Sequence, residues 1–474
     1  MITRATTSQI SFADLEFLRQ GVCLDPVLQL ISTFLDQHGY LIEKVRRNLQ
    51  RGLKRPKTGR NGMTAAQVLR SLILMRVKNW DYRELRERIA DGYTLRRFTH
   101  FNSKPVPKHD AFNRAFNKLT PATLEAINEV VVKAAVDLGL EDGKKLRVDT
   151  TVVETDIHHP TDSTLLWDSV RVITRLVGKL DGLLPEGVQG FTNRRRSARR
   201  RMQEIQRMTP KQRQKHLVPK YRKLLRITEQ VTGNARQVVE KAERVVCFDL
   251  MTGIAIRALC KEISYYCNLG DCVIDQARRR VIDGEQVPNE QKLFSIFETH
   301  TDLIKRGKIL KPVEFGHKVF IAESAGGLIT QYRVLDGNPA DEAHVTFSLE
   351  RHKETFGNAP RIYSADRGFF SAGNIEQCQE AGVELVCIPQ RGGKRKPAQE
   401  AYEKSPKFKD AQRFRAGVEG RISVLFRGRG MKRCLAEGRE NFELLVGAAV
   451  LANNLMTIAR LLIEKQKRRR RRAA

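Results

Sequence analysis

The chain lacks paired cysteines. Its eight thiols stand singly, at Cys23, Cys247, Cys260, Cys267, Cys272, Cys378, Cys387 and Cys434. No CxxC pair is present, which argues against a thiolate zinc site, and scattered thiols suit a reducing interior better than a disulfide framework. Also missing is any apolar run that approaches the roughly 18 residues needed to span a bilayer, or an apolar signal core at the N-terminus. Membrane insertion and secretion are therefore not expected. Acids are scarce too: 54 Asp and Glu face 85 Lys and Arg, a net charge of +31. Such an excess repels itself unless a polyanion neutralises it, which points to nucleic acid and, less readily, to an anionic membrane surface.

What is present supports real cores. The 474 residues are 41% hydrophobic, enough for about three units of ordinary domain size. Residues up to about 140 read as helical. Thr64 opens a segment with Val68, Leu69, Leu72, Ile73 and Met75 at helical spacing. The stretch from Asp81 to Glu84 is a capping pattern, and Thr120 with Pro121 starts a third helix carrying Leu124, Ile127, Val131 and Ala135. The period then changes. "KKLRVDTTVVET" (144–155) alternates and is rich in β-branched residues, as a strand should be. "HKVFIAES" and "LITQYRVLDG" around Gly326 and Gly327 predict a hairpin, and "RIYSADRGFF" and "VELVCIP" predict further strands separated by helices. Such alternation implies a mixed α/β sheet. Residues 161–311 differ in character, being helical and basic: 194–226 holds fourteen Lys or Arg against one acid, Glu204. They read as an insertion into the sheet domain.

Three acids stand out. Asp149 sits within the first strand beside apolar Val148 and Val152, where a bare carboxylate is costly unless paired or bound to a cation. Asp366 ends a second strand, followed by Arg367 and Gly368. Glu419 lies in "RFRAGVEGRISVLF", on the shoulder of a helical stripe of Phe414, Val418, Ile422 and Leu425. Gly417 and Gly420 flank it at about 1 kcal/mol each relative to Ala in a helix, a cost that a close neighbouring backbone or DNA strand would explain. If the strands of Asp149 and Asp366 are adjacent, the carboxylates converge on a hard oxygen site suited to magnesium. Taken singly, an acid placed like Asp366 is more often a turn or cap residue, and one like Glu419 most often a solvated helix acid with Arg415 as its i−4 partner.

With "LRVDTTVVET", "FSIFETHTDLIKRGK", "PVEFGHKVFIAES", "IYSADRGF" and "RFRAGVEGRISVLF" in view, the chain resembles the DDE transposases of bacterial insertion sequences, particularly the ISNCY-like group, over about residues 60–460. The resemblance implies an α/β fold: an RNase H-like mixed-sheet catalytic domain interrupted by the helical basic insertion, after an N-terminal all-α domain. The expected division is 1–143 (DNA binding or dimerisation), 144–160 (first catalytic strand), 161–311 (insertion), 312–464 (remainder of the catalytic domain) and 465–474 (basic tail). It implies Asp149, Asp366 and Glu419 as the catalytic and metal-binding triad, holding two Mg2+ ions with Mn2+ as a substitute. It further implies binding of terminal inverted repeats, cleavage at the transposon ends and joining of the 3′-hydroxyl to target double-stranded DNA by a homodimer. A cytoplasmic, nucleoid-associated protein is expected.

Relatives carry a tyrosine and a lysine where this chain has Gln412 and Phe426; Arg415 matches the family's arginine, and Arg427 or Arg429 would replace the lysine's phosphate contact. Further DNA contacts are expected from Arg367, Arg415, Lys318 (with His317) and the cluster Arg194, Arg195, Arg196, Arg199, Arg200 and Arg201. Trp167 either stacks on a displaced base or packs with Leu165 and Leu166. The competing functions are a catalytically inactive, transposase-derived DNA-binding regulator and an RNase H-like nuclease without strand transfer.

Overall fold

Capping side chains set the starts of many of the helices. In the computed structural model, residues 15–473 are described apart from 17–18, 56–57, 59–61, 246–248, 306–311 and 394; Cys247 and the expected boundary at 311 lie outside the described residues. From Pro26 onward the described residues form α1 (Pro26–Gln37), α2 (Gly39–Gln50), α3 (Ala65–Lys78), α4 (Tyr82–Asp91), α5 (Tyr93–Phe98), α6 (His109–Phe116) and α7 (Pro121–Asp137). Thr64 and Gln67 form a reciprocal capping box on α3, Asp81 caps α4, and Thr120 with Pro121 opens α7. After β1 (Lys145–Thr155) come α8 (Asp162–Asp181), α9 (Arg195–Gln206), α10 (Pro210–Glu243) and α11 (Leu250–Ala277). The remainder is β2 (Asp302–Lys305), β3 (Val313–Ser324), β4 (Ile329–Val334), α12 (Val345–Phe356), β5 (Ile362–Ser364), α13 (Ala372–Glu380), β6 (Leu385–Cys387), α14 (Pro397–Lys404), α15 (Pro406–Gly428), β7 (Arg433–Cys434) and α16 (Arg439–Ala473).

The chain divides into two compact units, residues 1–154 with 317–474, and residues 155–316. In the first, the strand order is β4–β3–β1–β5–β6, with β7 against β1. β1, β5 and β6 run parallel, while β3 and β4 form the antiparallel hairpin expected around Gly326 and Gly327. This mixed sheet is consistent with the fold of a DDE catalytic domain. Leu146, Val148, Phe320 and Tyr363 pack into one core cluster, and Val153, Val319, Ile321 and Val446 into another. The N-terminal helices share their core with Ala448, Leu451, Leu455 and Ile458 of α16.

α16 corrects one expectation. Over Arg439–Arg472 it is long and apolar enough, by length and composition, to cross a membrane, although no apolar run of that length was expected. "FELLVGAAVLANNLMTIARLL" reads as an apolar terminal helix in the sequence, and the polar Asn453 and Asn454 interrupt its apolar run. Both asparagines are buried, and 72% of the helix's most apolar window is covered by the fold. A helix apolar on all sides is one that is packed on all sides. Asn454 accepts from Ile329 N–H at 2.9 Å and donates to Ile329 O and Asn128 Oδ1, both at 2.8 Å, so its amide completes the hairpin's backbone pairing.

The second unit is a helical bundle around Leu166, Ile173, Leu224, Val231, Ile263 and Val273. Within it β2 pairs antiparallel with the start of β3, from Asp302 beside Gly316 to Lys305 beside Val313.

Candidate active site

β1 and β5 pair with Lys145 beside Ile362, Leu146 beside Tyr363 and Arg147 beside Ser364. Asp149 stands two residues beyond Arg147 and Asp366 two beyond Ser364. Both acids therefore leave adjacent parallel strands at one level. Asp149 is buried in β1, and its Oδ1 accepts the Thr150 N–H at 2.8 Å. β5 is only three residues long, and Asp366 caps the short turn Arg367–Phe369 with Oδ1 accepting the Gly368 N–H at 2.8 Å.

Glu419 arrives from α15. One turn earlier on that helix, the Arg415 guanidinium lies among all three acids. Its Nη2 is 3.0 Å from Asp149 Oδ2 and 3.8 Å from Asp366 Oδ2, and its Nη1 is 3.3 Å from Glu419 Oε1. Three carboxylates remote in sequence thus meet on a single cation. Glu419 is the outermost, with 69% of its side chain exposed, against 11% for Asp149. Glu403, near the end of α14, is engaged elsewhere, accepting from Gln390 N–H and Gln399 and pairing with Arg395.

A buried network holds α15 on the sheet. Glu323 of β3 has no exposed surface; its carboxylate takes Arg147 of β1 and Arg421 of α15, each at 2.8 Å. Arg147 also donates to the Phe414 carbonyl at 2.6 Å and lies 4.8 Å from that ring's centroid. Gly417 is required here, because a Cβ would come within 2.1 Å of Arg147 Nη1. Within the chain the close neighbour of Gly417 is thus an arginine side chain rather than a backbone. A Cβ on Gly420 would meet nothing within 4 Å. This network escaped sequence reasoning, although an arginine inside an apolar strand such as Arg147 is itself a sign that a buried acid must face it.

Asp341 was also missed. Its Oδ1 accepts from Lys318 Nζ at 2.7 Å and from Thr150 Oγ1 at 2.8 Å. In sequence it is one acid in "NPADEAH", at the start of a helical stretch, with nothing to set it apart.

Other expected contacts fall differently. Lys318 is buried, its ammonium shared by Asp341 and the Pro339 carbonyl, so it is turned away from any external phosphate. His317 is buried beside Arg439 and edge-on to Phe442, a structural role. Arg429 is buried too, donating to the carbonyls of Val77 and Gly428, whereas Arg427 is exposed. Arg367 is exposed beside Asp366. Trp167 packs against the core of the second unit, which favours the packing alternative over base stacking. In that unit Arg194, Arg195, Arg196 and Arg199 are exposed. Arg200, Arg201 and Lys220 instead converge on Glu204, and the Lys220 bond, with help from both arginines, holds that carboxyl down to about 2.

The donor set fits a hard divalent cation: carboxylate oxygens already drawn toward one positive charge. Burial pushes the Cys387 thiol, near Arg415, up to about 12, so it stays protonated beside the guanidinium. With Arg415 between the acids, no three Asp, Glu, His or Cys side chains among the described residues are grouped closely enough to hold a metal.

Residues 277–455 match the transposase DDE domain family, and residues 18–118 match the transposase domain family DUF772. The first match contains Asp366 and Glu419 and begins after Asp149. No curated protein and no solved structure matches. The first match covers the strands and helices that carry Asp366 and Glu419, the second covers the N-terminal helices, and the chain belongs to the DDE-type transposases of insertion-sequence type.

Proposed function

We propose that this transposase binds the terminal inverted repeats of its element, cleaves there and joins the freed 3′-hydroxyl to target DNA, with Asp149, Asp366 and Glu419 as its metal-binding acids. The observation that carries the reading is the convergence on Arg415 of Asp149 within β1, Asp366 just past the end of the adjacent parallel β5, and Glu419 of α15. Magnesium bound there would activate the attacking hydroxyl and stabilise the leaving oxygen in displacement at phosphorus. Asp149 and Asp366 supply rigid ligands from the sheet, and Glu419 an outer one from α15. Arg415 and the exposed Arg367 are placed to orient the scissile strand through charge-assisted bonds to phosphate.

The RNase H-like reading of the sheet, the ISNCY-like affiliation and the five-part division belong to the same proposal. The arginines of α9 and its approach supply non-specific attraction to the DNA backbone. Pairing two transposon ends calls for at least a dimer. The test is cleavage and joining of an end-bearing duplex by the purified protein with magnesium. Asp149→Asn should abolish both steps and keep end binding. Undiminished activity in that variant would overturn the metal-site assignment, and end binding without cleavage under every divalent metal would establish the regulator instead.

A further inference from the structure

Beyond the three acids lies a fourth carboxylate, Asp341, whose contacts reach both catalytic strand ends. We propose that Asp341, charge-balanced by Lys318, is a positioning residue that fixes Asp149 and Asp366 for metal binding; the inference rests on reading those acids as a metal site.

Two chains of contact support it. Asp341 Oδ1 accepts from Thr150 Oγ1 at 2.8 Å, and the Thr150 N–H in turn donates to Asp149 Oδ1 at 2.8 Å. Asp341 therefore holds the residue whose amide orients the first acid. Its other oxygen abuts the turn of the second acid. A Cβ at Gly368 would lie 2.7 Å from Asp341 Oδ2 and 3.0 Å from Asp366 Oδ1. The Gly368 backbone is not in the left-handed region, so glycine is needed there for the approach of two carboxylates and not for its conformational freedom. Gly368 also donates its N–H to Asp366 Oδ1 at 2.8 Å. One side chain thus touches the neighbour of each acid.

The ion pair itself points the same way. Lys318 and Asp341 meet at 2.7 Å with side chains only 11% and 21% exposed. Pairs so far removed from water give little net stability, and an apolar pair of similar size often does as well. A role in stability alone would not call for charge at this place. A role in orienting ligands would, because groups that hold metal-binding side chains commonly change metal affinity about 10- to 100-fold when removed.

The test is Mn2+ binding to the full chain, with free Mn2+ followed by electron paramagnetic resonance. Asp341→Ala should weaken affinity about 10- to 100-fold. Because that variant strands Lys318, a second one carries Asp341→Leu with Lys318→Met; it should restore the melting temperature while leaving Mn2+ affinity as weak. Asp149→Asn serves as the reference for the site. If Asp149→Asn abolishes binding while both Asp341 variants stay within about twofold of the parent, the inference falls and the metal site stands. If Asp149→Asn leaves Mn2+ binding unchanged, or the parent takes up none, the metal site falls and this inference with it.

Discussion

Replacing Glu323 by alanine should unfold the catalytic unit more readily than any change among the exposed acids. Glu323 is fully buried and receives three bonds at 2.8 Å from Arg147 and Arg421, whose side chains are only 13% and 19% exposed. The variant leaves two guanidinium groups desolvated with no counter-charge. Removing one partner of a buried pair typically costs about 3–5 kcal/mol. With a urea dependence of about 3 kcal/mol/M, the unfolding midpoint should drop by about 1–1.7 M. Two units can unfold separately, so the probe must sit in the right one. The chain has two tryptophans: Trp80 packs against the core of the first unit and Trp167 against that of the second. In a Trp167→Phe background, Trp80 fluorescence therefore reports the first unit alone. Replacing all three charges by Glu323→Leu, Arg147→Met and Arg421→Met should recover most of the loss, since an apolar cluster has no stranded charge. A midpoint shift below about 0.3 M for Glu323→Ala would refute the claim that this network anchors α15.

Burial holds His352 down to about 4, against 6.5 when free, so the folded protein keeps it neutral. Its contribution is complete above pH 6.5 and is lost as pH falls toward 4, where the unfolded chain takes up the proton first; the full span is about 3 kcal/mol. His352→Leu should flatten acid destabilisation in that window, and an unchanged pH profile of the midpoint would contradict the assignment. Changing Arg194, Arg195, Arg196 and Arg199 together to Gln should lower the slope of log affinity for duplex DNA against log salt by about 3, at roughly 0.9 per phosphate contact; an unaltered slope would remove this cluster from the DNA interface. Arg415→Gln removes the cation that competes for the acids. Mn2+ affinity without DNA should then rise about tenfold, the worth of one charge-assisted bond, and a fall would show that the guanidinium helps to hold the metal.

The element that carries each of the three acids was legible because that logic is local. A strand of known period places Asp149, a glycine-marked strand end places Asp366, and a helical stripe places Glu419. What sequence could not supply was the pairing of β1 with β5, which puts the first two at one level, since a register is fixed only when both strands are chosen. The supporting charges were less legible still. Glu323, Lys318 and Asp341 each look like an ordinary surface residue in a chain with 85 basic and 54 acidic side chains. Only burial shows that they belong inside, and burial is a property of the assembled unit.

The same limit explains α16. Read alone, its apolar length suits a bilayer, yet Asn454 at its centre completes the hydrogen bonding of Ile329 in β4. Asn454→Leu keeps the helix apolar and leaves the Ile329 N–H and carbonyl without that partner, at a cost of about 1–3 kcal/mol for each group stranded out of water. A helix selected for a membrane would gain from the change. A core helix loses, and the same Trp80-reported midpoint decides between them: an upward shift would mean that the packing of α16 against the hairpin has been misread.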